Sequence, residues 1–145
     1  MPALQIKIAS SFFQAMVQDF LSNKPIYLGL ITSGNETTEA VATSQPEFLR
    51  TAEYNAGGWI RPVMTITSQG TYNSTLNRWD LPENLEWSFV GPVGGLQLKQ
   101  VVIILGGIQT PRDLTGITVG HTTYVTPLVI AAGATQIIEA PWTIS

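Results

Sequence analysis

The stretch from Leu96 to Leu105, "LQLKQVVIIL", limits the fold more than any other part of this chain. It opens by alternating, with Leu96 and Leu98 set between polar neighbours, and then runs apolar without a break from Val101 to Leu105. Alternation marks a strand with one dry face, whereas an unbroken apolar run of strand length marks a strand covered on both faces. Gly94-Gly95 precede it and Gly106-Gly107 follow it, and glycine allows the left-handed turns that end a strand sharply. A strand covered on both sides needs neighbours on both sides, and the remaining sequence offers them.

"LEWSFV" alternates cleanly, with Leu85, Trp87 and Phe89 directed inward and Glu86 and Ser88 outward. "PIYLGLITS", from Pro25 to Ser33, reads as a buried strand. "WIRPVMTIT" places Ile60, Met64 and Ile66 on one face; Pro62 cannot donate to a ladder, which predicts an edge strand or a bulge there. The runs "TTYVTPLVI" and "TQIIEAPWTI" flank an Ala-Gly-Ala turn. In the second run Ile138, Ala140, Trp142 and Ile144 share a face, so that strand is either paired within a sheet or covered by another chain.

Ahead of the strands, Ile8, Phe12, Met16 and Phe20 fall at i, i+4 spacing, with Ala9, Phe13 and Val17 beside them. This wide stripe predicts an amphipathic helix packed on the sheet. Ser11 with Gln14 can form a capping box that starts it late. The segment from Gly34 to Gly58 is too long for an ordinary connection. "SGNETTEAVAT" reads as a polar loop, and Pro46 at a first turn suits a short helix over "PEFLRTAEY". The expected fold is therefore mainly β: an antiparallel, jelly-roll-like β-sandwich over residues 25–145, with a helical arm over 1–24 packed against it.

Composition narrows the partners. The 145 residues fit one domain, and 44% hydrophobic content is ample for its core. Only 12% of residues are charged, about half the usual quarter. The surface is then largely Thr, Ser, Gln, Asn and Gly, which suits packing against other proteins. Net charge is −3 and the seven basic residues are scattered singly, so counterion release gives no hold on nucleic acid. The absence of cysteine excludes disulfides, thiolate catalysis and Cys-ligated zinc. With no apolar run of ~18 residues, no membrane span is expected. No secretory leader is expected either, because Gln14, Gln18 and Asp19 interrupt the early apolar pattern.

Chemistry-bearing sets are thin. His121 in "TVGHTTY" is the lone histidine, and there is no G-x-S-x-G elbow for it to serve. Asp80, Glu83 and Glu86 could suggest a glycosidase pair, with Glu83 or Glu86 as acid, but Glu86 alternates outward and "DLPEN" reads as a turn, so these are solvated acids. The glycine pairs form no phosphate-binding motif. No catalytic, cofactor-binding or metal-binding set is expected. Two interaction readings remain. Trp59 and Trp79 are candidates for stacking on glycans. Within Gly34 to Tyr54, Phe48 or Leu49 is the candidate apolar anchor for a partner, with Arg50 on its rim.

Three stretches carry a family resemblance: "IYLGLITSGN" after an N-terminal helix; "YNAGGWIRPVMTIT" with its Gly-Gly-aromatic-x-Arg strand; and "LEWSFVGPVGGLQLKQVVIILGG" with the close "TYVTPLVIAAGATQIIEAPWTIS". Over residues 8–145 the chain resembles small tailed-bacteriophage virion proteins, often labelled tail fibre or structural protein. It departs from them at Gly95-Leu96, where they carry Trp-Gly, and in a longer loop over 36–54. The resemblance implies a β-sandwich without enzyme activity, present in repeated copies in a virion assembled in a bacterial cytoplasm. It favours a homo-oligomer, a trimer first, bound to the major capsid protein or another virion protein, with no cofactor, nucleic acid or membrane as partner. The role expected first is a capsid decoration or cement protein. The alternative is a tail, baseplate or tail-fibre component that binds a glycan or receptor.

If Trp142 lies inward on the last strand, Trp142→Ala lowers stability by about 3–5 kcal/mol, which thermal unfolding would show; an unchanged Tm places Trp142 outside the core.

Overall fold

The computed structural model describes residues 9–21, 24–65, 71–76, 78–80, 85–140 and 143–144. Among these the chain is mainly β, and every ladder is antiparallel. Helix α1 (Ser10–Leu21) leads into β1 (Pro25–Thr32). Two short helices, α2 (Glu39–Ser44) and α3 (Leu49–Ala52), lie either side of a 3-10 turn over Pro46–Phe48. Then follow β2 (Val63–Thr65), β3 (Thr71–Asn73), β4 (Arg78–Asp80), β5 (Leu85–Val90), β6 (Leu96–Leu105), β7 (Ile117–Ile130), β8 (Thr135–Ala140) and β9 (Thr143–Ile144).

A four-stranded sheet in the order β2-β1-β6-β7 forms the centre. The uniformly apolar run of β6 is there because both its faces are covered. Val101, Ile103 and Leu105 join Ile26, Leu28 and Leu30 of β1 in one core cluster. Val102 and Ile104 join Tyr27 and Ile31 in a second cluster on the opposite face. The alternation in β5 also reads true: Leu85 and Trp87 are buried in the first cluster, Phe89 packs against it half-buried, and Glu86 and Ser88 are exposed. The Trp87 indole N–H donates to the Ile26 carbonyl at 2.9 Å, so this large ring is buried with its one polar atom satisfied.

The two runs around the Ala-Gly-Ala turn do not pair with each other. β7 pairs with β6, and β8 pairs with β5. The register is continuous in sense, Val90 opposite Thr135 and Leu96 opposite Ile130. β5–β6 and β7–β8 thus form one long ribbon, bent where the connections 91–95 and 131–134 pass side by side. Gly91 N–H donates to the Ala134 carbonyl at 2.8 Å, and Gly133 N–H to that of Gly91 at 3.0 Å. A Cβ on Gly91 would lie 2.0 Å from the Ala131 oxygen, so only glycine fits this corner. The bend folds Leu85, Trp87 and Ile138 over Leu98, Val101 and Ile103, and that closes the first cluster.

Pro62 lies just before β2, an edge strand of three residues, as its missing N–H requires; its carbonyl still accepts from Leu28 N–H at 3.0 Å. Ile60 differs from its expected place: it precedes the strand and is exposed, while Met64 packs on the core. Ile66 lies outside the described residues. Within the helical stripe, Phe12 is 57% and Met16 41% exposed; Ile8 and the side chains of Phe13, Val17 and Phe20 lie outside the described residues. The expected strand from Gln136 to Ile144 is divided into β8 and β9, the latter paired with β4; Trp142 lies outside the described residues. All six glycines of the three Gly-Gly pairs have φ between 61° and 84°, as left-handed turns demand.

Trp59 offers a contrast to Trp87. It packs on the same cluster at right angles to Tyr54 and Phe89, each with ring centroids 5.7 Å away, but its buried indole N–H has no hydrogen-bond partner. A lost partner for a buried polar group costs about 1–3 kcal/mol. Trp87→Phe is therefore expected to lower stability by about that amount beyond the change in packing, whereas Trp59→Phe removes an unsatisfied donor and costs less; equilibrium unfolding of the two variants measures the difference.

Candidate interaction site

The second face of the central sheet is covered by chain that the sequence pattern made look mostly like loop. Thr38 starts α2 by accepting from the Val41 N–H through its hydroxyl at 3.4 Å, and Pro46 sits at the first position of the 3-10 turn. "EAVATS" is thus helical rather than an exposed loop, and Ala42 within it is buried. Gln100 of β6, fully buried, anchors the approach to this layer. Its side-chain oxygen accepts from Thr37 N–H at 3.2 Å, and its amide donates to the Thr37 carbonyl at 3.4 Å and the Thr123 hydroxyl at 3.1 Å.

Next to α3 lies a buried ion pair. Arg61 Nε donates to Glu53 Oε2 at 2.7 Å and Nη2 donates to Oε1 at 2.6 Å, with both side chains at most 1% exposed. Removing two charges from water is costly unless the remaining polar atoms find partners, and here each guanidinium nitrogen and each carboxylate oxygen has at least one. Arg61 also donates to the carbonyls of Asp113 at 2.8 Å and Ile108 at 3.2 Å. Glu53 Oε1 accepts in addition from Arg112 N–H at 2.8 Å, and the Glu53 carbonyl from Arg112 Nε at 2.9 Å. The carboxylate lies flat on β1 because residue 29 is glycine: a Cβ there would stand 3.3 Å from Glu53 Oε2. Arg112 has a φ of 69°, a left-handed conformation costing about 1–3 kcal/mol in a residue with a Cβ; its two bonds to Glu53 hold it there.

The loop that Arg61 grips, residues 106–116, and the helical layer enclose a cleft of about 310 Å3 lined by Ala42, Pro46, Leu49, Ile104, Leu114 and Ile117, with Asp113 the one charged residue on its wall. Asp113 is held at two points. Its carbonyl accepts from Arg61, and its Oδ1 accepts from Thr115 N–H at 2.8 Å and from the Thr115 hydroxyl. That hydroxyl, then the Thr115 amide, hold the Asp113 carboxyl below the usual carboxylate range; Arg61 adds a smaller pull the same way against slight desolvation.

The sequence candidates separate on this frame. Leu49 is 1% exposed, packed with Tyr27, Ile31, Val102 and Ile104; it belongs to this chain's own core and is no anchor for a partner. Phe48 is half-buried against the same cluster, and Arg50 is exposed. Trp59 is largely taken up by core packing. The Trp79 side chain and Glu83 lie outside the described residues. Asp80 pairs with Arg78 at 2.7 Å, Glu86 is exposed, and His121 is half-buried in β7. Neither Asp80 nor Glu86 is hydrogen-bonded or ion-paired to His121, and among the described residues no three His, Asp or Glu converge as metal ligands. No described helix is long and apolar enough to cross a membrane. Sequence reasoning missed Glu53, Arg61 and Gln100; the one signal for Arg61 was a charge between Ile60 and Pro62 in an otherwise apolar strand.

Comparison with protein-family models, with curated proteins and with solved structures yields no match.

Arg61→Ala leaves Glu53 buried without its counter-charge and is expected to cost about 3–5 kcal/mol. Pairing it with Glu53→Leu removes the stranded charge but strands the carbonyls of Ile108 and Asp113, so the double variant recovers only part of the loss; chemical denaturation of both variants tests this.

Proposed function

We propose that this chain is a non-enzymatic virion structural protein of a tailed bacteriophage, acting as a capsid decoration or cement protein. The observation that carries the reading is the role of the resembling stretch from Tyr54 to Thr65. Gly57 and Gly58 make a left-handed turn, Trp59 packs between aromatic rings, and Arg61 closes the buried ion pair. The residues of this stretch thus build the frame, and none of them lines the cleft. A rigid, lightly charged β frame that presents surfaces to neighbours is what a cement protein needs, because many copies make weak single contacts strong together.

The β-sandwich belongs to the same proposal. The bent ribbon, which lays β5 and β8 over the central sheet, supports it. A jelly-roll order of strands is the arrangement proposed with it. The protein would self-associate and bridge major capsid subunits, with the trimer as the state the resemblance favours.

Electron cryo-microscopy of particles from the phage that carries this sequence tests the role. Density for this fold across capsid-subunit boundaries is the expected result. Density in the tail or fibre would replace cement by the tail reading, and absence from purified particles would overturn both.

A further inference from the structure

The helical layer and the wall of the cleft it borders carry a cation, Arg50, and an anion, Asp113, that no ion pair uses. Among the described residues, Arg50 is the one basic side chain with neither an ion pair nor a hydrogen bond: Arg61, Arg78, Lys99 and Arg112 are all engaged, and Lys24 has an interaction of its own. Arg50 follows Leu49, whose side chain lines the cleft, and it is exposed on α3. On the cleft wall Asp113 uses Oδ1 for both bonds from Thr115, which leaves Oδ2 free. Arg50 and Asp113 do not pair within the chain; Arg61 is the cation whose field reaches Asp113. Beside them Ile117 is 54% exposed and Phe48 half-buried.

We infer that this face binds a second copy of the chain, with Arg50 of one copy reaching Asp113 of the other across the cleft. Three considerations select that occupant. A surface that meets a copy of itself must carry both signs of charge or none, and this one carries both, Arg50 on the one side and Glu47 and Asp113 on the other, beside apolar side chains. The chain as a whole is at −3, so two copies repel unless a local match of this kind offsets it. The cleft volume lies at the bottom of the ~300–1,000 Å3 range for small-molecule sites, a size for one inserted side chain. Asp113 is already fixed through its backbone and Oδ1, so little ordering is lost when a guanidinium arrives. The inference rests on the self-association proposed above and is independent of membership in a particle.

The test is a charge exchange read by sedimentation velocity over a concentration series. The wild-type chain self-associates. Arg50→Asp and Asp113→Arg each weaken association by about tenfold or more, a loss of about 1.4 kcal/mol or more, while the double variant, which restores opposite charges across the contact, recovers most of it. A mixture of the two single variants would associate more tightly than either alone. Asp113→Asn keeps the acceptor for Thr115 while removing the charge, so it shows the loss even if Asp113→Arg fails to fold. Single variants that associate like wild type, or a double variant no tighter than the singles, overturn the Arg50–Asp113 contact and leave self-association standing. A chain that stays monomeric at the highest concentration overturns both.

Discussion

The pair between Glu53 and Arg61 is the constraint on which the rest of this structure turns. It ties together three segments far apart in sequence: β1, on which the Glu53 carboxylate rests at Gly29; the helical layer, from which Glu53 comes; and the 106–116 loop, held through the carbonyls of Ile108 and Asp113 and by Arg112. The backbone follows the same line, with Tyr54 N–H donating to the Leu30 carbonyl at 2.7 Å and Arg61 N–H to that of Gln109 at 2.9 Å. A buried pair of this kind is weak evidence for stability in itself. Its larger effect is on geometry, because the directed donors of a guanidinium fix positions in a way apolar contacts do not.

That fixed geometry explains how a central sheet can be covered by two unlike layers. On one side the bent ribbon supplies a second strand ladder, and the match is apolar apart from the hydrogen bond from the Trp87 indole to the Ile26 carbonyl. On the other side short helices and a long loop must lie flat, and elements of four to six residues have little stability of their own. They are held by Leu49 and Ala42 from below and by the polar clasp at their edge. The face proposed for self-association is therefore made of locally weak pieces held rigid by long-range contacts.

How much of this could be read from the sequence depends on whether the deciding contact was local. The alternation of Leu85, Trp87 and Phe89, the apolar run of β6, the glycine turns and the edge position after Pro62 all follow from backbone periodicity and single-residue chemistry, and all are present. The ribbon's bend was not legible, because nothing in "AAGA" separates a hairpin turn from a corner until its partner at Gly91 is known. Leu49 looked like an exposed anchor because its neighbours Glu47 and Arg50 are polar; burial of that one side chain is set by Val102 and Ile104, some fifty residues away along the chain. Glu53 and Arg61 did not stand out, for the same reason: their environment is built largely from the 106–116 loop. The row of Phe12 and Met16 had helical spacing, and the helix is present, but periodicity cannot say what a stripe faces.

The pairing of β1 with β6 also has a consequence in time. Ile26 lies opposite Leu105, and Thr32 opposite Leu98, so the central contact joins segments separated by more than sixty residues. Closing such a loop before its interior is ordered is slow relative to forming local turns. During synthesis at ~5–20 residues per second, the apolar strand "PIYLGLIT" leaves the ribosome several seconds before the strand that will cover it exists. In that interval it is an uncharged, β-prone segment whose one available partner is the three-residue β2, the kind of stretch on which nascent chains aggregate. How that strand is shielded while it waits is thus a matter of timing that the stability of the finished fold does not decide.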